Sequence, residues 1–200
     1  MKTKFLFICV AVLILSVITG LSVNGQKTSF AIQAGANFQN LNGKDAGGDK
    51  LENSIAPGFH AGVNVIVPVA PDFYFQPGLQ FSRKGAKNTS GLSDIKYNIS
   101  YVELPLNLLY RGQLGNGYVL LGFGPYVGYA VKAVEVVGDV DADMDLKAFD
   151  AGAGVYAGYE TGMGIYFQLN TQYGLLNLST KDDDSLWRNV GFGLSLGYRF

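Results

Sequence analysis

The sequence predicts an all-β fold, an eight-stranded antiparallel up-and-down transmembrane β-barrel, on three observations. Apolar residues alternate with small or polar ones in eight separate segments, the period of a β-strand. The apolar faces of those segments contain no Asp, Glu, Lys or Arg. The connections between them alternate long and short along the chain. The closing segment shows the pattern most plainly. Val190, Phe192, Leu194, Leu196, Tyr198 and Phe200 lie on one face, against Gly191, Gly193, Ser195, Gly197 and Arg199. A soluble barrel puts its apolar face inside and its polar face in water. Here the second face is rich in glycine and suits a narrow lumen, while the apolar face suits lipid. A charge on the lipid face costs roughly 2–4 kcal/mol at mid-bilayer, so the lack of charge there has a physical cause.

Composition points the same way. Glycine (27), tyrosine (12) and phenylalanine (13) are abundant, and only 16% of the residues are charged. A length of 200 residues suits one domain. The net charge of −1 and the lack of a basic run in the sequence argue against a nucleic-acid partner. Residues 1–25 read as a cleaved signal peptide. Lys2 and Lys4 give the positive start, Phe5–Ile18 the apolar stretch and Val23-Asn24-Gly25 the small-residue exit. Cys9 falls within it, which leaves residues 26–200, the barrel domain, without cysteine. Loss of Lys2 and Lys4 takes the balance from 15 basic against 16 acidic residues to 13 against 16. No later apolar run reaches the length of a membrane helix, so a place in a membrane requires a barrel.

Taken in order, the first strand is Ser29–Phe38, with Phe30, Ile32, Ala34, Ala36 and Phe38 facing out. A polar loop over Gln39–Ala56 leads to Gly58–Val67, whose outward set is Phe59, Ala61, Val63, Val65 and Val67. After a tight Pro68–Pro71 turn, Phe73–Ser82 presents Phe73, Phe75, Pro77, Leu79 and Phe81. The loop Arg83–Lys96 precedes Tyr97–Arg111, where Val102, Leu104, Leu106, Leu108 and Tyr110 face out. Gln113–Gly117 has hairpin-turn chemistry. Tyr118–Lys132 follows, with Val119, Leu121, Phe123, Pro125, Val127, Tyr129 and Val131 outward. Its hairpin with Phe149–Glu160 is expected to continue above the membrane and turn near Gly138-Asp139. Strand seven begins at Ile165 after the Thr161–Met163 turn, and the loop Leu176–Leu186 returns the chain to the closing strand.

Aromatic residues mark depth. Phe30, Phe73, Tyr110, Tyr159, Tyr198 and Phe200 are expected at the inner rim, and Phe38, Phe59, Phe81, Tyr129, Phe149 and Tyr173 at the outer one. Pro77, Pro105 and Pro125 lack a ladder donor, so bulges are expected at each.

Three runs carry a resemblance: Pro57-Gly58-Phe59-His60-Ala61-Gly62, the stretch Gln76–Lys87, and Tyr101-Val102-Glu103-Leu104-Pro105-Leu106. The chain resembles the PorT-like outer-membrane β-barrel family over essentially the whole of residues 26–200. The resemblance implies an eight-stranded barrel in a Gram-negative outer membrane and no common reaction. It gives Glu103 and Pro105 structural weight.

An eight-stranded barrel is just wide enough to be filled by side chains. Tyr74, Tyr101, Tyr118, Tyr126, Tyr156 and Tyr166 should plug the lumen, with Gln76, Gln80, Asn107, Gln168 and Gln172 bonding between them. Inward charges must be paired. Glu103, Arg111, Lys132, Asp150, Glu160 and Arg199 form the expected lumen ion network, with Lys132 pairing Asp150 at the outer rim. Its first reading is structural stabilisation, and a gate or binding site is the other. No Ser–His–acid set falls in register, so His60, the only histidine, reads as a hydrogen-bonded lumen residue. Asp139, Asp141, Asp143 and Asp145 start like a calcium loop, but Met144 stands where glycine is needed and no Glu closes it. No metal or cofactor is expected.

The function these features support is a non-enzymatic outer-membrane protein acting through its extracellular loops or periplasmic rim. The alternatives are a lipid-modifying enzyme dependent on His60 and a narrow small-solute channel. Expected partners are outer-membrane lipid and lipopolysaccharide, the barrel-assembly machinery, which would read Tyr198 and Phe200, and an unidentified protein.

Overall fold

The computed structural model describes residues 27–88, 95–138, 140–181 and 185–200. The expected signal peptide with Cys9, together with Asp139 and Asp182–Asp184, lies outside them. The strands are β1 (Ser29–Lys44), β2 (Asn53–Ala70), β3 (Phe73–Asn88), β4 (Ile95–Leu114), β5 (Gly117–Val137), β6 (Val140–Asp143), β7 (Phe149–Thr161), β8 (Ile165–Gly174) and β9 (Leu186–Arg199). All except β6 form the wall. They run β1-β2-β3-β4-β5-β7-β8-β9, and the β1–β9 pairing closes the ring. Every pairing is antiparallel, so the short turns and both ends of the described barrel share one rim. Asp72 takes a left-handed conformation (φ 63°) in the first of these turns, which a short polar side chain tolerates.

The alternation places side chains as the sequence dictates. Phe123, Leu194 and Leu196 are 59%, 55% and 53% exposed, whereas Tyr101 and Glu103, on the opposite parity, have no exposed surface. The hydroxyl of Thr171, a polar member of the outward set, donates to the Gly191 carbonyl at 2.9 Å. Stacked or tilted ring pairs Phe38–Phe192 and Phe59–Phe81 lie toward the outer rim, and the tilted pair Phe73–Tyr110 and the edge-on pair Tyr198–Phe200 toward the inner. The lumen is narrow enough that a Cβ on Gly122 or Gly197 would collide with the ring of Tyr156 or Tyr166.

Four expectations need correction. The strands reach well beyond the apolar band: much of the expected loops Gln39–Ala56 and Arg83–Lys96 belongs to β1, β2, β3 and β4. Backbone pairing continues above the membrane because inward residues still find cover there, among them Leu41, Ala86 and Ile99. Val67 keeps outward parity but is wholly covered, beside a register shift between Pro68 and Ala70 that bends the end of β2.

Pro77, Pro105 and Pro125 cause no bulge. Pro77 is absent from the β2–β3 ladder, Pro105 from β3–β4 and Pro125 from β4–β5, each within a two-residue gap that leaves the register unchanged. Each proline keeps its partner on the other side: Leu106, Tyr126 and Ala153. The gaps adjoin from strand to strand and form an oblique seam of missing ladder bonds. The register shifts fall elsewhere, at Ile55/Phe59, at Pro68/Ala70 and at Ser100/Tyr101.

The last shift carries the fourth correction. Tyr101 pairs with Ala130 and Ser100 with Lys132, so Val131 is the extra residue. Val131 and Lys132 therefore both point outward, and both are exposed. Lys132 is not a lumen residue.

Candidate functional site

The lumen is divided into three levels. At the inner end Ala31, Ile66, Tyr74, Leu109, Leu120 and Tyr166 pack together, with Tyr156 against them. The hydroxyl of Tyr156 donates to Oε1 of Gln76, and that of Tyr166 to the Ile32 carbonyl at 3.2 Å. Below this cluster Arg111 grips Glu160 with two bonds, Nε to Oε2 at 3.1 Å and Nη2 to Oε1 at 2.7 Å. Arg199 lies 3.7 Å from Glu160 and donates to the Ser29 hydroxyl at 2.8 Å. The three charges anticipated at this mouth are thus together.

At the outer end Leu41, Ala86, Ile99, Tyr101 and Leu178 form a second cluster, covered by Met144, Leu146 and Trp187. The connections supply part of this cap: Lys147 N–H donates to the Leu178 carbonyl and Leu178 N–H to the Trp187 carbonyl, both at 2.9 Å. Beneath the cap lies a buried charge group. Lys84 Nζ is 2.5 Å from Glu103 Oε1 and 4.6 Å from the centre of the Tyr126 ring. Asp150 accepts from Tyr126 at 3.2 Å and from Asn189 at 2.8 Å. Asp150 is therefore not paired with Lys132, which the β5 bulge carries outside; Lys84 is the cation nearest this group. The sequence puts Lys84 in the expected loop Arg83–Lys96 because the outward residue before it, Arg83, ends the apolar alternation. Inward parity through Gln80 and Ser82 would have found it.

Between the clusters is a polar chamber of about 60 Å³, lined by amides and by His60. A water needs roughly 10–15 Å³ by this measure, so the chamber has room for a handful of waters. Its centre is an aligned set that sequence reasoning missed. His60 Nδ1 lies 2.7 Å from Asn37 Oδ1, and Nε2 lies 2.7 Å from Ser195 Oγ. The Asn37 amide nitrogen faces the carbonyls of Phe59 and Arg83, at 3.2 and 3.4 Å, so Oδ1 is the atom turned to His60. That fixes the proton on Nδ1 and leaves Nε2 to accept from Ser195. Ser195 in turn accepts from Asn170 at 3.1 Å. Gly35 makes room for the ring, since a Cβ there would meet His60 Cε1 at 2.7 Å.

This Ser–His–Asn order is that of a nucleophile and its base. Asn37 orients the ring but carries no charge to stabilise an imidazolium, and an apolar cluster lies on either side of the chamber. The arrangement satisfies the hydrogen-bonding capacity of buried polar groups. Among the described residues no cluster of His, Cys, Asp and Glu could hold a metal.

A closed antiparallel barrel of eight strands, apolar outside and amide-lined within, is an outer-membrane β-barrel. The chain belongs to the family described as outer membrane protein beta-barrel domain, whose model matches residues 22–180. A comparison with curated proteins finds no match. Among solved structures the chain is similar to Neisserial surface protein A (TM-score 0.50, 16% identity, 88% of this chain and 100% of that one). It is also similar to OprG from Pseudomonas aeruginosa (TM-score 0.53, 15% identity, 86% of this chain and 95% of that one). At these identities the likeness establishes the fold alone. The protein is accordingly placed in the outer membrane.

Proposed function

We infer that the protein is a non-conducting, non-enzymatic barrel in a structural or interaction role. Its contacts are made outside the lumen, through the extension of β3, β4, β5 and β6 beyond the outer rim or through the periplasmic rim. The observation that carries this reading is the double closure of the lumen, with an apolar cluster at each end and about 60 Å³ between. A channel needs a continuous wetted path, and a lipid-modifying enzyme needs its serine within reach of an acyl bond. Apolar packing at both ends of the lumen favours a filled barrel over either. Within the broader family, the Gln76–Lys87 and Tyr101–Leu106 runs support a PorT-like reading. Tyr198 and Phe200, in edge contact at 5.0 Å, serve as the signal read by the assembly machinery. Planar-bilayer recording of the purified barrel tests the reading: a flat baseline at both polarities is expected, and reproducible single-channel steps would overturn it.

A further inference from the structure

One face of the barrel carries cations that the lumen does not use. On β3, β4 and β5 the outward alternation passes from the apolar band directly into Arg83, Ser100 and Lys132, which are register partners. It ends higher up on Lys87, which stands opposite Lys96. The row beneath is Phe81, Val102 and Tyr129, also register partners and part of the outer girdle. Arg83, Lys96 and Lys132 are exposed and Lys87 is half-buried. None of the four has an ion-pair partner among the described residues. Among the described residues, Asp141 and Asp143 share this face and belong to β6, on the far side of Val136 and Val134.

We propose that this patch binds the phosphate groups of the outer-leaflet glycolipid, lipopolysaccharide, and holds one such molecule against β3, β4 and β5. From strand spacing and rise, Arg83 and Lys132 stand about 10 Å apart, with the Lys87–Lys96 pair about 13 Å farther from the bilayer. Like charges directly opposite on a ladder repel, and an anion between Lys87 and Lys96 relieves that cost. The guanidinium of Arg83 suits a phosphate because its fork donates two parallel bonds. Position decides the occupant. A dissolved phosphate would use the cations alone. A lipid with phosphates above acyl chains covers the cation row and the Phe81–Val102–Tyr129 row at once, and it already surrounds an outer-membrane barrel. The bulge at Val131 has a role here, since strict alternation through Ala130, Val131 and Lys132 would put either Lys132 or the inward Ala130 on the wrong face. The proposal does not depend on the closed lumen.

The test uses the full chain in detergent micelles and native mass spectrometry with three probes: diphosphorylated lipid A, the same lipid A after phosphatase, and phosphatidylglycerol. The wild-type barrel should retain diphosphorylated lipid A and largely lose the dephosphorylated form. Arg83→Gln with Lys132→Gln should weaken retention about tenfold or more, taking the usual worth of each basic residue beside an anionic leaflet. Adding Lys87→Gln and Lys96→Gln should weaken it further, while Lys181→Gln, on the opposite connection, should leave it unchanged. Equal retention of dephosphorylated lipid A by the wild-type protein would overturn the proposal without recourse to any variant. So would equal retention of phosphatidylglycerol, or full retention by the fourfold variant.

Discussion

Nζ of Lys84 lies 2.5 Å from Oε1 of Glu103, and neither side chain has any exposed surface. Two rings flank the ammonium, Tyr126 at 4.6 Å and Tyr101 at 5.5 Å. Through the Tyr126 hydroxyl the same group reaches Asp150. One cation thus serves two buried carboxylates, and removing different members should have unequal effects.

Lys84→Met leaves Glu103 and Asp150 without a counter-charge and is expected to cost about 3–5 kcal/mol, the usual loss on breaking a buried pair. Glu103→Gln should cost less, because Asp150 remains to balance Lys84. Urea unfolding in micelles, followed by the gel mobility shift between folded and boiled barrel, ranks the two. Equal stability of Lys84→Met and wild type would refute this account of the outer plug.

The chamber set makes a second prediction. Ser195→Ala removes the partner of His60 Nε2 and Asn170, and His60→Ala removes the partner of both Asn37 and Ser195. Each should lower stability by about 1–3 kcal/mol through unsatisfied buried groups. Neither should alter the lipid A of the host membrane, which mass spectrometry of extracted lipid measures. A changed acylation pattern in either variant would instead make Ser195 a nucleophile.

What the sequence disclosed follows from one physical fact, and so does part of what it hid. Alternation reports on faces only where lipid enforces it. Phe30 to Phe38 and Val190 to Phe200 were therefore legible in register, and so were the inward tyrosines. Above the bilayer the outward face is free to be polar, and Arg83 looked like the start of a loop although β3 continues to Asn88. Lys84 was lost with it. Lys132 failed for another reason: a single inserted residue flips every later side chain, and no residue type around Val131 announces a bulge. The His60–Asn37–Ser195 set joins β2, β1 and β9, and only the closing of the barrel brings β9 beside β1.

The seam of prolines should be the least protected part of the wall. Amides of Gly78, Leu104, Leu106 and Asn107 lie in ladder gaps beside Pro77, Pro105 and Pro125. Hydrogen exchange followed by NMR in micelles should find them faster than the amides of Leu194 and Leu196, which sit in unbroken ladders on both sides. Uniform protection around the barrel would mean that the gaps are filled by bonds to other groups.

The bulge at Val131 permits a test of facing that needs no ligand. Ala130 points inward opposite Tyr101, and Val131 and Lys132 both point outward before Ala133 returns to the inner face opposite Ile99. Deleting Val131 should therefore regularise the ladder without turning any later side chain, because Lys132 then follows Ala130 in ordinary alternation. Deleting Ala130 instead breaks the sequence of faces, because two outward residues then follow Tyr129. With Cys9 the only native cysteine, Lys132→Cys in a Cys9→Ser background gives one reporter thiol. An impermeant maleimide added to whole cells should label Lys132→Cys readily, both with Val131 present and with it deleted. Glu103→Cys, on the inner face with no exposed surface, should stay unlabelled until the barrel is unfolded. Protection of Lys132→Cys in intact cells would return Lys132 to the lumen and remove the basis for its separation from Asp150.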